Sequence, residues 1–333
     1  MTPLNLLTLA RPGAFLDMLG HLGHRWDVVA HGRQSAAEPW LLARELPAAM
    51  RSVHWPEARA RLERHDYDAV VCHQIRHFVE VRSIAPGLPV VLHANPRLET
   101  AFGISCHLAA AALGTDRHET TCVFDSYHQR RAWAEAAVGG EVIAPGLDVE
   151  SYGPYDGSIP CMLTIGNLQS ELPAMSGFDS LEQLAAGLPL TVLGHNPGLG
   201  LHRPLLSRRE RLRALCSHRL YLNTSVGPTG DGENLHVLEA MASGMPVVTR
   251  TDPATPVVHG THGYVGTDPA RLRLLVLELL EDRDLALRLG QAARDTIARE
   301  YPVARFVRTW NALLERVVEE PGSAGRELRQ ISA

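Results

Sequence analysis

The sequence predicts an α/β chain in two domains, each built on a parallel sheet, and three observations carry that prediction. Short apolar runs alternate with segments of helical spacing from the N-terminus onward, as a sheet with helices between its strands requires. Several of these runs end in polar or glycine-containing residues, the place where open parallel sheets bind ligands. At 333 residues the chain is long for one domain and comfortable for two.

Taken in order, Leu4–Ala10 reads as a strand broken by Arg11-Pro12-Gly13. Phe15, Met18, Leu19 and Leu22 mark a helix, and Trp26–Ala30 a second strand. Leu42–Met50 reads as helical, as does Ala58–Arg64. The strand Ala69–Cys72 ends in a polar cluster of His73, Gln74, Arg76 and His77. Val90-Val91-Leu92 is buried-strand sequence, and His93, Asn95 and Pro96 stand at its end. That position at a strand terminus, near the surface of the sheet, singles out His93 among 17 histidines. A helix over Phe102–Leu113, a strand over Thr120–Phe124 ending in Asp125-Ser126, a helix over Gln129–Ala137 and a strand over Glu141–Ala144 complete the first half. The turn-rich run from Tyr152 to Gly157 fits a linker.

The second half opens with the strand Cys161–Ile165, which ends in Gly166-Asn167. Ser170–Gly177 is a loop and Phe178–Ala186 a helix, and the strand Leu190–Leu193 ends in Gly194-His195. Arg208, Arg209, Arg211 and Arg213 lie on one helix and read as a solvated face. Asp252–Gly263 reads as a loop. Asp268-Pro269 is a cap followed by Pro at the first helical position. Two helices follow, the second over Leu285–Glu300; beyond Pro302 a last amphipathic helix carries Phe306, Trp310, Leu313 and Val317, and from Pro321 the chain reads as a loose tail.

Composition narrows the chemistry. The formal charge is −5, which disfavours a nucleic-acid partner. There is no lysine, so a cationic contact to phosphate must come from Arg or protonated His. The cysteines Cys72, Cys106, Cys122, Cys161 and Cys216 are scattered without a Cys-x-x-Cys pair, which argues against a zinc site or disulfide framework and for reduced thiols in the cytoplasm. No signal peptide and no apolar run of transmembrane length is evident.

The stretch Tyr221–Thr249 organises the rest. It reads as strand, polar loop, helix and strand, with Asp231 and Glu233 before the helix, Glu239 within it, and Gly244 and Pro246 as its stop signal. A polar loop feeding a helix N-terminus suits an anionic ligand, because free N–H groups and the helix dipole point at it. The Leu238-Glu239-Ala240-Met241-Ala242-Ser243-Gly244-Met245-Pro246 segment, preceded by acidic residues, resembles the donor signature of retaining GT-B glycosyltransferases of family four. A divergent short branch, similar to spore-coat glycosyltransferase-like proteins, resembles it best. Glu239 matches the second acidic position of that signature; Asp231 stands where the first is expected, with Glu233 two residues on. The signature's Gly-Arg pair and following Lys are absent, since Gly166 is followed by Asn167.

The resemblance implies two facing, doubly wound Rossmann-like domains: an acceptor-side domain over 1–153, a donor domain over 154–300, and a helix over 301–320 crossing back onto the first domain. It implies transfer of a sugar from a nucleotide diphosphate sugar, with retention, to an acceptor that is a small molecule, a glycan or a polymer. No cofactor and no metal are expected. His93 would assist near the reacting centre, Asp231 or Glu233 would hold sugar hydroxyls, and Glu239 the ribose. Gly166, Asn167, His195, Asn234 and Leu235 complete the expected donor site. A nucleotide-sugar 2-epimerase on the same scaffold and an inactive nucleotide-sugar-binding protein remain alternatives. The donor base, the acceptor and the oligomeric state are left open.

Overall fold

The computed structural model describes residues 2–9, 14–29, 46–93, 120–134, 140–166, 177–194, 196, 202–203, 207–224, 235–252 and 255–319. The chain divides into two compact units, Met1–Pro145 with Ala304–Ala333, and Gly146–Val303.

Among the described residues, the first unit holds strands β1 (Asn5–Leu9), β2 (Arg25–Val29), β3 (Met50–Val53), β4 (Ala69–Cys72), β5 (Val90–His93), β6 (Thr121–Phe124) and β7 (Glu141–Val142). They pair in the order β3-β2-β1-β4-β5-β6-β7, all parallel. The order reverses direction between β1 and β4, the switch point at which doubly wound sheets open a crevice. Its helices are α1 (Ala14–Gly20), α2 (Trp55–Glu63), α3 (Ile75–Ile84), α4 (Tyr127–Ala134) and the C-terminal α5 (Val303–Glu319). Alternate strand residues point to opposite faces. Leu7, Leu9, Val70, Cys72, Val90 and Leu92 pack with Leu62, Phe78 and Val81 of α2 and α3. On α5, Phe306 and Trp310 meet Phe15 of α1, and Asn311 donates to Leu22 O.

The second unit's strands are β8 (Ile159–Ile165), β9 (Leu190–Leu193), β10 (His202–Arg203), β11 (His218–Asn223), β12 (Val247–Arg250) and β13 (Gly263–Gly266), in the order β10-β9-β8-β11-β12-β13 and again parallel. Its helices are α6 (Phe178–Ala185), α7 (Arg208–Ser217), α8 (Leu235–Ser243), α9 (Pro269–Glu281) and α10 (Arg283–Glu300). The stop signal after Ser243 works as its residues imply. Met245 N–H donates to Ala240 O and Gly244 N–H to Met241 O, with Gly244 at φ 90°, which is a Schellman turn.

The structure departs from the sequence reading in several places. Met50 begins β3 rather than ending a helix, and Arg76 and His77 of the polar cluster lie on α3. Gly263, read as loop, begins β13; there its φ is 138° and a Cβ would lie 2.0 Å from Val247 O, so only glycine can pair so closely with β12. The chain leaves the first unit at Pro145, ahead of the turn-rich Tyr152–Gly157 run. Leu147 N–H already donates to Tyr301 O, and Tyr152 is buried in the second unit's core. The expected helix over Phe102–Leu113 and the tail from Pro321 lie outside the described residues.

Candidate active site

Four side chains line up along the carboxyl edge of the first unit's sheet. Thr8 lies on β1, His73 follows β4, His93 ends β5 and Asp125 follows β6; these four strands are neighbours in the sheet. Thr8 Oγ1 lies 3.1 Å from His73 Nε2, His73 Nδ1 lies 3.2 Å from His93 Nδ1, and His93 Nε2 lies 2.7 Å from Asp125 Oδ1. All four residues are buried. An ionised carboxylate only accepts, so His93 Nε2–H donates to Asp125. A neutral His93 then accepts at Nδ1 from His73 Nδ1–H, and His73 Nε2 accepts from the Thr8 hydroxyl. Phe15 stacks on the His93 ring at 4.4 Å and 13°, and Trp310 meets it edge-on at 6.0 Å.

His93 is therefore at the strand terminus the sequence indicates, but not at the surface: its ring is fully buried and both nitrogens have protein partners. Asp125 and His73, its partners, are residues whose pairing no local pattern announces. The Asp66-Tyr67-Asp68 triplet lies at the opposite edge. Asp68 accepts from the N–H of Asn5, the first residue of β1, Asp66 accepts from Arg64, and Tyr67 donates to Asp27. Its carboxylates serve a turn.

In the second unit Glu239 sits on α8, and its residue is fully buried. Oε1 lies 3.2 Å from Arg211 Nη2 and accepts from Tyr152 Oη at 3.4 Å; Oε2 accepts from His236 Nδ1–H at 3.2 Å. Arg211 is thus corrected from a solvated face to a buried ion pair, because α7 turns that residue toward α8 rather than toward water. Its neighbours Arg209 and Arg213 are not part of this pair.

The carboxyl edge of this sheet is polar. Gly166 follows β8 at φ 157°, and Asn196 Nδ2 donates to Gly166 O at 2.8 Å. Asn223 Nδ2 donates to Thr249 Oγ1 at 3.0 Å. Arg250, the last residue of β12, donates from Nη1 to Ser180 Oγ at 3.1 Å in the first turn of α6; among the described residues Nε–H has no acceptor. Leu235 begins α8 and is half-buried. Asn167, His195, Asp231, Glu233 and Asn234 lie outside the described residues. Among the described residues no three His, Cys, Asp or Glu side chains are grouped to hold a metal ion, and no helix is long and apolar enough to cross a membrane.

Residues 178–312 match a family model described as glycosyl transferase-like. No curated protein matches the chain by sequence. Solved structures match by fold over nearly the whole length. HepE from Anabaena, in complex with UDP and glucose, is 17% identical with a TM-score of 0.68, covering 94% of this chain and 99% of that one. Sucrose-phosphate synthase from Thermosynechococcus elongatus is 12% identical with a TM-score of 0.69, covering 95% and 99%. WaaG, a glycosyltransferase involved in lipopolysaccharide biosynthesis, is 14% identical with a TM-score of 0.62, covering 92% and 98%. The chain has the fold of the GT-B glycosyltransferases, and its residues 178–312 match the glycosyl transferase-like family model.

Proposed function

We propose that the chain is a glycosyltransferase that moves a sugar from a nucleotide diphosphate sugar to an acceptor, with retention of the anomeric configuration and without a resident metal. The observation that carries this reading is the setting of Glu239. It is a carboxylate held inside the protein by Arg211, Tyr152 and His236, on the helix that begins at Leu235, within the segment that matches the glycosyl transferase-like model. Burying a charge is costly, and three oriented partners offset that cost and fix the carboxylate's orientation.

In this reading Glu239 binds the ribose, Asp231 or Glu233 holds sugar hydroxyls, and His93 assists near the reacting centre. Arg250 and the N-terminus of α8 neutralise the leaving diphosphate. Retention follows from attack on the same face, with a donor phosphate oxygen taking the acceptor's proton. HepE holds UDP and glucose, which makes UDP-glucose the first donor to try. The thiols Cys72, Cys161 and Cys216 support a reducing, cytoplasmic setting.

The test is a thermal-shift screen of UDP-, GDP-, ADP- and TDP-sugars, followed by turnover with the donor that binds. A ligand at about a hundred times its Kd adds roughly 2.7 kcal/mol, enough to be seen. Transfer that survives EDTA and yields a product of unchanged anomeric configuration supports the reading. An epimerised nucleotide sugar formed without acceptor would identify a 2-epimerase instead, and nucleotide binding with no turnover a binding protein.

A further inference from the structure

The row Thr8, His73, His93 and Asp125 spends much on polarity where an apolar core would serve. Two imidazoles and a carboxylate are buried beside Phe15 and Trp310. Replacing such a network by well-packed apolar residues is often neutral or stabilising, so stability alone does not account for it. Its geometry is fixed from several sides. The stack on Phe15 sets the plane of the His93 ring. The turn that carries Asp125 is itself locked, since the Asp125 N–H donates to Gln129 Oε1 and the Gln129 N–H to Ser126 Oγ.

We propose that Asp125 and His73 are positioning residues that hold His93 as a single Nε2–H tautomer at the carboxyl edge of the sheet, and that this hold sets the transfer rate; the second half rests on the transferase reading above. Neither residue touches substrate in this proposal. Each acts through His93, and Thr8 closes the row at the β1–β4 switch point.

The experiment has two arms on the full chain. Long-range ¹H–¹⁵N correlation spectra of the imidazoles report the tautomer of His93 in the wild type and in Asp125→Ala, Asp125→Asn and His73→Gln. Steady-state kinetics report kcat and the donor KM for the same proteins. The wild type is expected to show His93 as the Nε2–H tautomer. Asp125→Ala is expected to give a mixture and to lower kcat by about 10²-fold, the scale for a misplaced group at a reacting centre, with the donor KM near its wild-type value. Asp125→Asn keeps an acceptor oxygen, so it is expected to restore the tautomer and part of the rate, which also guards against a misfolded alanine variant.

A wild-type His93 that is Nδ1–H or mixed overturns the proposal. So does an unaltered tautomer in Asp125→Ala. A changed tautomer with unchanged kcat overturns the positioning role while the transferase reading stands. A wild type that transfers sugar from none of the four donor classes overturns that reading and the rate-setting role together, while the spectra still decide the tautomer.

Discussion

Arg211 Nη2 lies 3.2 Å from Glu239 Oε1, with the two side chains 2% and 1% exposed. Removing one partner of such a pair leaves a buried charge uncompensated, so Arg211→Met is expected to cost about 3–5 kcal/mol in urea unfolding. Glu239→Ala is expected to weaken nucleotide-sugar binding by roughly 1–3 kcal/mol, the scale for a lost charged hydrogen-bond partner. That variant also strands Arg211, so affinity and stability need to be read together. The double variant Arg211→Met with Glu239→Leu separates them: it is expected to regain stability and still bind donor weakly. Wild-type donor affinity in a folded double variant would remove Glu239 from the donor site.

Arg250 carries a separate expectation. With no lysine in the chain, a cation for the donor diphosphate has to be an arginine or a protonated histidine, and Arg250 stands at a strand's carboxyl end with Ser180 Oγ as its acceptor among the described residues. Titrating UDP against uridine isolates the phosphate contribution. In Arg250→Gln that contribution is expected to fall by about 1.5–3 kcal/mol while uridine affinity holds. An unchanged UDP-to-uridine ratio means that the diphosphate lies elsewhere.

Glycine packing positions the helix that carries Glu239. A Cβ on Gly290 of α10 would sit 1.8 Å from Gly244 O, in the turn that ends α8. Gly290→Ala is therefore expected to destabilise by roughly 1–3 kcal/mol or more, and to weaken donor binding through α8. Gly87→Ala, with nothing within 4 Å, is expected to change stability by less than about 0.5 kcal/mol. Matching melts for the two variants would refute the packing argument.

Acid should weaken the fold through two histidines. Burial lowers the pKa of His24 and of His262 below the ordinary 6.5. Nδ1 of His24 accepts from the Leu4 N–H, which only an unprotonated Nδ1 can do, while Nδ1 of His262 lies 3.2 Å from Val258 N and 3.3 Å from Pro256 O. The unfolded chain then binds more protons than the folded one just below that value. The stabilisation is complete above pH 6.5 and is lost as the pH falls from there through the lowered folded-state values. Denaturation midpoints taken downward from neutral pH should fall, and less steeply in His262→Gln. A flat profile in that window would show that neither ring is held neutral.

Much of the scaffold is written locally. The apolar runs at Ala69–Cys72 and Val90–Leu92 lie in strands with the expected ends, because a fully buried parallel strand needs an unbroken apolar run and a polar residue halts it. The Asp268-Pro269 start is a true cap, with Asp268 Oδ1 accepting from the Ala270 N–H. Edge strands escape such reading. Two of the four residues of β3 are exposed, so nothing in Met50–Val53 distinguishes it from a loop.

The sequence by itself determined the alternation of strand and helix, the helix stop at Gly244, and the placing of His93 at a strand end and of Glu239 within a helix, since these depend on neighbours a few residues apart. Only the tertiary structure decided what those side chains meet. His93 joins Thr8, His73 and Asp125 because β1, β4, β5 and β6 are adjacent in the sheet, and strand order is set by chain crossovers that no local period encodes. Arg211 looks like one charge in a solvated helical run until α8 brings a buried carboxylate against it. Hydrophobic patterning fixes which face of an element is buried, but the partner of a buried charge is chosen by whichever distant element packs on that face.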